Sequence, residues 1–423
     1  MKRIDLRKSF ASDSGTSSVS EHKKLPLPQS WSVLPIREVC TQITSGGTPS
    51  RKISDYFGGD IPWVKTKELK DCWIDETDEH LTDLGIANSS AKVLPENTLL
   101  MAMYGATVGQ LGILRSQMTC NQAACALILD PSTADFRYVY YRLLQDRPAF
   151  RSLANGAAQQ NLSARTIADF QILLPPIAEQ RAIAGVLGAL DDKIESNIRL
   201  TQLADQSFMA EMSMLLSTES SKEFAPLAKV GSIALGGTPS KARSEFWDSG
   251  DIPWINSGSL HEKPVITPAN HITSLGLQKS ATKLIPAGAT LFAITGATLG
   301  VISRLSLAMT INQSIIAIWS DVSTAWNDYI YFALRTGRDQ ILNSATGAAQ
   351  QHVNKSNFED FELLVPSDRS ISKMAELRPL LELQDSASLE ARRLSQIRDS
   401  LLPELLSGRI RVRDAESIVE DAL

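Results

Sequence analysis

The feature that most constrains the fold of this chain is an internal duplication. The motif Gly-Gly-Thr-Pro-Ser begins at Gly46 and again at Gly236, an offset of 190 residues. After one inserted residue the offset becomes 191, and it then holds for four further motifs: Gly-Asp-Ile-Pro-Trp at Gly59 and Gly250, Gly-Ala-Thr-x-Gly at Gly105 and Gly296, Asn-Gln at Asn121 and Asn312, and Gly-Ala-Ala-Gln-Gln at Gly156 and Gly347. Such a period is far too long for a solenoid, so the sequence predicts two copies of one globular domain.

Composition narrows the class of protein. The chain has 423 residues, 43% of them hydrophobic, and its 42 Lys+Arg against 47 Asp+Glu leave a formal net charge of −5. These values predict two or three domains with real cores. Because a global sum can hide local patches, the charge is also counted by segment; it runs from +3 over residues 1–24 to −4 over 176–220, so no segment is a basic domain. No apolar run reaches the roughly 20 residues of a membrane helix, and the first residues contain no hydrophobic block. We therefore expect a soluble, cytoplasmic protein.

The four cysteines fit a reducing compartment, because none of them forms a Cys-x-x-Cys pair. Cys120 and Cys125 align with Ile311 and Ile316 of the second copy. A position that accepts isoleucine is an apolar packing position, so we expect both thiols in the core rather than in a metal or catalytic site.

Each copy has the pattern of an α+β domain. The Gly-Gly pair of the repeated motif predicts a turn with positive φ, and Thr-Pro an extended segment after it. Short apolar strands are predicted at 98–103 and 290–294, and an amphipathic helix at about 135–153 and 327–344.

A long helix is predicted after each copy. From Ile177 to Leu216 there is no proline, and residues spaced alternately by four and three form a seam: Ile183, Leu187, Leu190, Ile194, Asn197, Thr201, Ala204 and Phe208. The second segment, 371–406, is interrupted by Pro379 and has a looser seam: Leu383, Ala387, Leu394, Ile397 and Leu401. We expect the two helices to pair in antiparallel fashion. The alternative, in which each helix packs on its own domain, stays open from the sequence.

Motifs spread over residues 28–412 resemble those of the specificity subunits of type I restriction–modification systems. They are Leu27-Pro28-x-x-Trp31, the two Gly-Gly-Thr-Pro-Ser and Gly-Asp-Ile-Pro-Trp motifs, the Gly-Ala-Ala-Gln-Gln loops, the segment Pro175–Arg181, and the segment from Leu401 to Val412. The resemblance implies two target recognition domains separated by two long antiparallel coiled-coil helices. It also implies that the chain binds double-stranded DNA and is itself not an enzyme. Methyltransferase subunits, expected to be two, and motor–endonuclease subunits would supply the chemistry.

On this basis the expected domain organisation has six parts: a disordered tail at 1–24, recognition domain 1 at 25–175, a central spacer helix at 176–220, recognition domain 2 at 221–366, a C-terminal spacer helix at 367–412 and a tail at 413–423. The segment Pro366–Ser370 lacks the Ile-Ala-Glu-Gln-Arg pattern that opens the first helix. The sequence therefore leaves open whether both helix starts contact a methyltransferase in the same way.

The sequence contains no motif that predicts catalysis. It has no P-loop, no strand–Gly-x-Gly-x-x-Gly–helix pattern and no Asn-Pro-Pro-aromatic or Asp-Pro-Pro-aromatic tetrapeptide of amino-methyltransferases, so no cofactor is expected. Asp60, Glu68 and Lys70 are spaced like a metal-dependent nuclease core. Their counterparts Asp251, Ser259 and His261 do not keep the pattern, so a variable loop is the simpler interpretation.

Candidate DNA contacts follow from comparing the copies, because phosphate contacts position a protein and base contacts specify the sequence. Basic residues at matching positions are candidates for phosphates, and polar residues that diverge after Pro-Trp are candidates for bases. The candidates for phosphates are Arg51 and Lys241, and those for bases are Lys65, Lys67, Asn256 and Ser257. Arg115 and Arg304, expected at loop tips, and the repeated amides Gln159, Gln160, Gln350 and Gln351 are further candidates. Ordinary surface charge, or amides that satisfy loop backbone, is the alternative explanation for these residues.

Trp63 and Trp254 could stack on bases, but as repeated residues beside isoleucine they are expected in the core. The acidic run Asp75–Glu79 is expected to be a solvated loop. Other classes of function remain as alternatives: a protein-binding scaffold that does not contact nucleic acid, and a self-sufficient nuclease or methyltransferase.

Overall fold

The computed structural model describes residues 30–155, 161–219, 221–344 and 353–421. These residues divide into two compact units, one formed by the chain up to Gly185 together with Leu402 onward, and the other by Val186–Leu401. The first unit contains copy 1, and the second contains copy 2 with most of the two long helices. Each unit therefore contains one copy of the duplicated α+β domain, as the repeat predicts.

Copy 1 combines three small sheets with short helices. Its strands are β1 (Ser32–Pro35), β2 (Cys40–Ser45), β3 (Phe57–Val64), β4 (Cys72–Ile74), β5 (His80–Leu81), β6 (Leu99–Ala102), β7 (Leu111–Leu114), β8 (Thr119–Cys120), β9 (Ala124–Leu129) and β10 (Gln171–Leu174). Its helices are α1 (Asp83–Ala87), α2 (Phe136–Asn155) and α3 (Ala164–Asp169), and the long α4 (Ile177–Ser217) follows them. The strand orders are β2-β9-β6-β7-β4 and β5-β3-β8, while β1 pairs with β10.

Copy 2 repeats this arrangement. Its strands are β11 (Phe224–Pro226), β12 (Ser232–Leu235), β13 (Ile252–Ile255), β14 (Asn270–Ile272), β15 (Leu284–Ile285), β16 (Thr290–Ala293), β17 (Ile302–Arg304), β18 (Met309–Ile311), β19 (Ile315–Trp319) and β20 (Glu362–Leu364). Its helices are α5 (Leu227–Val230), α6 (Ser274–Gln278), α7 (Thr324–Thr336), α8 (Arg338–Asn343) and α9 (Lys355–Glu359). The strand orders are β12-β19-β16-β17, β14-β13-β18-β15 and β11-β20. They repeat those of copy 1 except that copy 1 has the additional edge strand β4 in its larger sheet and copy 2 has the additional edge strand β15 in its second sheet.

The two copies also share individual hydrogen bonds. Arg147 Nε donates to the carbonyl of Gly109, and Arg338 Nε donates to that of Gly300, each at 2.8 Å. All four residues of β6 and of β16 are buried, as expected for central strands covered on both faces. The two copies therefore share both the buried central strand and this polar contact of the scaffold.

The Gly-Gly pair has a different role from the one predicted. Neither glycine has positive φ; positive φ occurs instead at Gly105 and Gly109 of the Gly-Ala-Thr-x-Gly motif, with values of 68° and 78°. A Cβ atom on Gly46 would lie 1.9 Å from the carbonyl oxygen of Cys120. Gly46 is therefore required because another backbone segment approaches it closely.

The long helices pair in antiparallel fashion within the second unit. The first is α4, and the second segment consists of α10 (Asp368–Ala375) and α11 (Arg378–Leu406). Thr201 Oγ1 lies 3.3 Å from Ser388 Oγ, and ten residues earlier on α4 Asp191 Oδ1 lies 2.7 Å from Nη1 of Arg398, ten residues later on α11. This register confirms the predicted pairing.

The seam on α4 is confirmed, and on α11 the predicted seam residues Ala387, Leu394 and Leu401 are buried as well. The prediction fails at the first residue of the α11 seam. Leu187, Leu190 and Phe208 are buried, whereas Leu383 is 41% exposed and Gln384 is buried in its place. A seam predicted from the spacing of apolar residues cannot include a buried glutamine. Gln384 is buried because its side chain accepts a hydrogen bond from Arg304 at 3.3 Å and donates to Asp205 at 3.4 Å.

Two helix boundaries differ from the sequence-based expectation. Pro379 is the second residue of α11, where its missing N–H costs nothing, so the break lies just before it. Its end at Leu406 is as predicted, and the helix continues through Pro403. The segment expected as a tail at 413–423 contains most of α12 (Val412–Glu420), with Ala415 buried.

The motif at the start of α4 attaches this helix to copy 1. Gln180 is fully buried; its amide donates to the carbonyls of Thr133 (3.1 Å) and Pro175 (2.8 Å) and accepts from the N–H of Asp135 at 3.0 Å. Copy 2 has Ile371 at this position. The Gln180 part of the motif is therefore a structural anchor particular to the first copy.

The cysteine prediction is confirmed for Cys120 and Cys125. Both are completely buried, and burial raises the pKa of each thiol to about 12. Over the ranges that the structure describes, no helix is both long enough and apolar enough to cross a membrane.

Candidate nucleic-acid interface

Two adjacent strands in copy 1 bring the divergent residues after Pro-Trp next to the end of the acidic run. Strand β3 is antiparallel to β5, with Pro62 opposite His80, and the N–H of Trp63 donates to the carbonyl of Glu79 at 3.0 Å. Lys65 follows β3 and Glu79 precedes β5. Because antiparallel neighbours run in opposite directions, these two side chains meet at the same end of the sheet.

Three charged residues form one cluster at this point, which we call the copy 1 triplet: Arg51, Lys65 and Glu79. The carboxylate of Glu79 accepts from Arg51 Nη1 at 2.6 Å through one oxygen and from Lys65 Nζ through the other. These two hydrogen bonds lower the pKa of Glu79 to about 2, so it is ionised at neutral pH. The guanidinium of Arg51 also lies 4.5 Å from the centre of the Phe57 ring.

The corresponding positions in copy 2 carry Lys241, Asn256 and Asn270, the copy 2 triplet. These three residues line one surface hollow of about 420 Å³ together with Trp247 and Trp254. Asn256 Oδ1 accepts from the N–H of Gly258 at 2.8 Å, and Asn270 Oδ1 accepts from that of His271 at 2.8 Å. Both asparagine side chains are thereby held by backbone groups.

The two tryptophans of the repeated motif belong to the scaffold, as predicted. Trp63 is 2% exposed and its indole N–H donates to the carbonyl of Gly47 at 3.0 Å; Trp254 is 6% exposed and donates to Gly237 at 3.3 Å. Buried indoles of this kind normally have such a partner. They hold the Gly-Gly-Thr-Pro-Ser loop, with its basic residue at position 51 or 241, beside the strand that leads to the triplet.

The acidic run in copy 1 is an exposed loop, as predicted, and its carboxylates also form ion pairs. Asp78 pairs with Lys67 at 2.6 Å, and Asp75 pairs with Arg115 at 2.9 Å. The Lys67–Asp78 hydrogen bond raises the pKa of the lysine and lowers that of the carboxyl. With Glu79 included, the run pairs with all four basic residues proposed for DNA contact in copy 1. These pairs depend on the tertiary structure, because β4 and β5 flank the run and bring it beside the loops that carry the four basic residues.

The nuclease-like spacing in copy 1 has a structural explanation. Glu68 Oε2 accepts from the N–H of Lys65 at 2.7 Å, and its other oxygen accepts from the N–H of Asp78 at 2.8 Å. Both carboxylate oxygens thus hold the loop backbone around the triplet.

Arg304 is not at an accessible loop tip, where the sequence placed it. It is the last residue of β17 and is 1% exposed. Its guanidinium donates to the carboxylate of Asp385 on α11 at 2.6 and 3.1 Å and to the carbonyl of Leu381 at 3.3 Å. Arg304 therefore attaches copy 2 to the long helix within the same unit and is removed from the surface.

The remaining candidates are placed as follows. Lys241 is exposed, and Ser257 begins a short 3₁₀ helix, Ser257–His261, where it is half-buried. Gln159, Gln160, Gln350 and Gln351 lie outside the described residues.

Sequence reasoning missed Glu79 and Asn270. The signal was available, because the offset of 191 pairs these two residues directly and both precede a histidine in a short strand. Because Glu79 ends a run of acidic residues, its local pattern is typical of a solvated loop and does not by itself indicate a ligand contact.

The chain is similar to known proteins over most of its length. Residues 28–203 and 219–377 match the family described as "Type I restriction modification DNA specificity domain". The type I restriction enzyme MjaIX specificity subunit of Methanocaldococcus jannaschii is 24% identical over 414 residues, which cover 92% of this chain and 95% of that one. The HindI specificity subunit of Haemophilus influenzae is 31% identical over 193 residues, 44% of this chain and 41% of that one.

Among solved structures, the crystal structure of the type I restriction–modification S subunit from M. genitalium has a similar fold. Its TM-score is 0.61 at 18% sequence identity, and the match covers 90% of this chain and 98% of that one.

Proposed function

Since this chain belongs to the type I restriction–modification DNA specificity family, we propose that it is the sequence-recognition subunit of such a complex. In this proposal each copy contacts one half of a bipartite, asymmetric DNA target, and the chain carries no catalytic site of its own. Its relatives are named specificity subunits of type I restriction enzymes.

The observation that carries the proposal is the difference between the two triplets on one scaffold. The same end of the same strand pair presents Arg51, Lys65 and Glu79 in copy 1 but Lys241, Asn256 and Asn270 in copy 2. A duplicated fold that needed only to bind phosphates would have no reason to vary here, because phosphates are the same at every base pair. Different donor and acceptor sets are what two different half-sites require.

Partner subunits supply the chemistry in this proposal. Methyltransferase subunits, expected as two copies, would modify the target, and motor–endonuclease subunits would cleave DNA that lacks the modification. The complex would act in the cytoplasm, where it meets chromosomal and incoming DNA.

The charge of the chain indicates that it depends on those partners for affinity. Its net charge is −5, and in copy 1 the basic side chains proposed for DNA contact are paired with carboxylates. Phosphate contacts supply much of the affinity of DNA-binding proteins, so this subunit alone should bind weakly. Tight, specific binding by the isolated chain at physiological salt would contradict this part of the proposal.

Single-molecule sequencing for modified bases tests the proposed function directly. Cells that carry this chain with its modification subunits should contain a modified two-part motif that is absent from cells without it. Exchanging copy 1 for that of a relative should change one half of the motif and leave the other half intact. Modification maps that stay identical in all three strains would overturn the proposal.

A further inference from the structure

The two triplets carry the same formal charge but different hydrogen-bonding groups. In copy 1, two cations and one carboxylate sum to +1, and in copy 2 the single lysine also gives +1. The two triplets themselves are therefore matched in formal charge. What differs between the copies is the pattern of donors and acceptors, which is the property that distinguishes base pairs in the major groove.

The copy 1 triplet combines cationic donors with an acceptor that cannot donate. The Arg51 and Lys65 side chains have only N–H donors, and the ionised Glu79 carboxylate has only acceptors. In the major groove, guanine presents two acceptors, N7 and O6, and its partner cytosine presents the N4 amino donor beside them. A G·C pair is the base pair that matches such a set.

The copy 2 triplet presents two primary amides with one lysine. Each asparagine carries an acceptor and a two-proton donor, and the contacts of the two oxygens to backbone N–H groups fix the direction of each amide. Adenine presents an acceptor at N7 and a donor at N6, which an amide matches in a bidentate fashion. An A·T pair is the base pair that suits this set.

The scaffold keeps the varying positions in register. In copy 1, the N–H of Trp63 donates to the carbonyl of Glu79; in copy 2, Trp254 lies opposite Asn270 in the β13–β14 pair. In each copy the first varying residue, Lys65 or Asn256, stands two positions after the shared tryptophan. The second, Glu79 or Asn270, lies opposite that tryptophan on the neighbouring segment. The varying side chains therefore occupy equivalent backbone positions in the two copies.

We propose that Lys65 with Glu79, and Asn256 with Asn270, determine which base pair each copy recognises: a G·C pair by copy 1 and an A·T pair by copy 2. This inference rests on the proposed function and makes Glu79 and Asn270 specificity-determining residues.

The test exchanges the pairs in the full-length chain, assembled with its methyltransferase subunits. Lys65→Asn combined with Glu79→Asn removes one charge of each sign, so the net charge is unchanged. The purified complex selects duplexes from a library randomised over both half-sites, and the selected DNA is sequenced. We expect a G·C pair in one half-site to become A·T, with a preference of at least about fivefold, while the other half-site stays as in the wild type.

Three further variants complete the design. The reciprocal exchange, Asn256→Lys with Asn270→Glu, should change an A·T pair to G·C in the other half-site. Glu79→Gln, which keeps the shape of the side chain, should relax the preference for the same G·C pair. Arg37→Asn with Asp169→Asn, an exposed ion pair elsewhere in copy 1, is the charge-neutral control and should leave both half-sites unchanged.

The outcomes separate this inference from the proposed function. Unchanged half-sites in both exchange variants would overturn the inference, as would the loss of selection at both half-sites, since that result indicates a structural role. A wild-type complex that selects no sequence at all would instead overturn the proposed function.

Discussion

The guanidinium of Arg304 and the carboxylate of Asp385 form an ion pair that joins copy 2 to helix α11. The arginine side chain is 1% exposed, and its two terminal nitrogens reach the two carboxylate oxygens at 2.6 and 3.1 Å. Such a fork-to-fork contact fixes orientation as well as distance. The recognition domain in this unit is thereby fixed relative to the helix pair that lies within the same unit.

Replacing Arg304 with alanine should destabilise the second unit strongly. The substitution leaves the Asp385 carboxylate without its cationic partner at a largely buried site, which typically costs about 3 kcal/mol. Urea unfolding followed by a signal from the second unit measures this loss. Arg243→Ala is the control: it breaks an exposed ion pair with Glu245 in the same copy and should change stability by less than about 1 kcal/mol. Equal unfolding midpoints for the two variants would contradict the structural role of Arg304.

Removing the carboxylate of Asp78 should strengthen salt-sensitive DNA binding by the assembled complex. Its ion pair with Lys67 competes with phosphate for the lysine, so Asp78→Asn should raise the affinity for non-specific DNA severalfold and steepen its dependence on salt. Titrations of a fluorescent duplex at several salt concentrations measure both effects. Glu76→Gln makes the same change of charge at an exposed residue of the same acidic run, two positions before Asp78, and should have a smaller effect. If both variants behave alike, general charge rather than the ion pair is responsible.

The acid stability of the first unit should depend on Glu79. Hydrogen bonds from Arg51 and Lys65 lower its pKa from 4.5 to about 2. A depressed pKa in the folded state stabilises the fold above the unfolded-state value and loses that effect as the pH falls through the folded-state value. The wild type should therefore lose more thermal stability than Glu79→Gln between about pH 4.5 and pH 2. Parallel melting curves for the two proteins over this range would show that the contacts contribute nothing.

Lengthening the helix pair should change the spacer between the half-sites and leave the half-sites themselves unchanged. The antiparallel register places Thr201 beside Ser388 and Asp191 beside Arg398. An insertion of seven residues after Ser196, matched by seven in the facing part of α11, adds two turns to each helix and keeps the seam. Modified-base sequencing should then report the same two motifs farther apart. An insertion in α4 alone breaks the register and should lower stability, and altered motifs in the matched variant would refute the spacer role.

Several structural details could be predicted from the sequence because they depend on local pattern and on the repeat. The burial of Trp63 and Cys120 followed from comparing the copies, since a position that carries an apolar residue in both copies faces the core. The seam on α4, including Asn197, followed from helical spacing.

Other details depended on partners far away along the chain. Arg304 looks like any surface arginine until Asp385, 81 residues later, is placed beside it. Gln384 was omitted from the predicted seam because it is polar, and its burial is explained only by the contacts it makes with Arg304 and Asp205. The role of Gly46 required knowledge of the Cys120 carbonyl that lies against it.

The amino-acid sequence by itself determined that this protein is a duplicated α+β domain with a long helix after each copy, because repeats, turn residues and helical spacing are encoded locally. Only the tertiary structure decided which charged residues are available to a ligand. Whether a guanidinium faces solvent, a carboxylate or a carbonyl depends on which segments fold against it, and an ion pair between distant residues has no local signature. The same reason accounts for Glu79, whose importance became visible only beside Lys65 and Arg51.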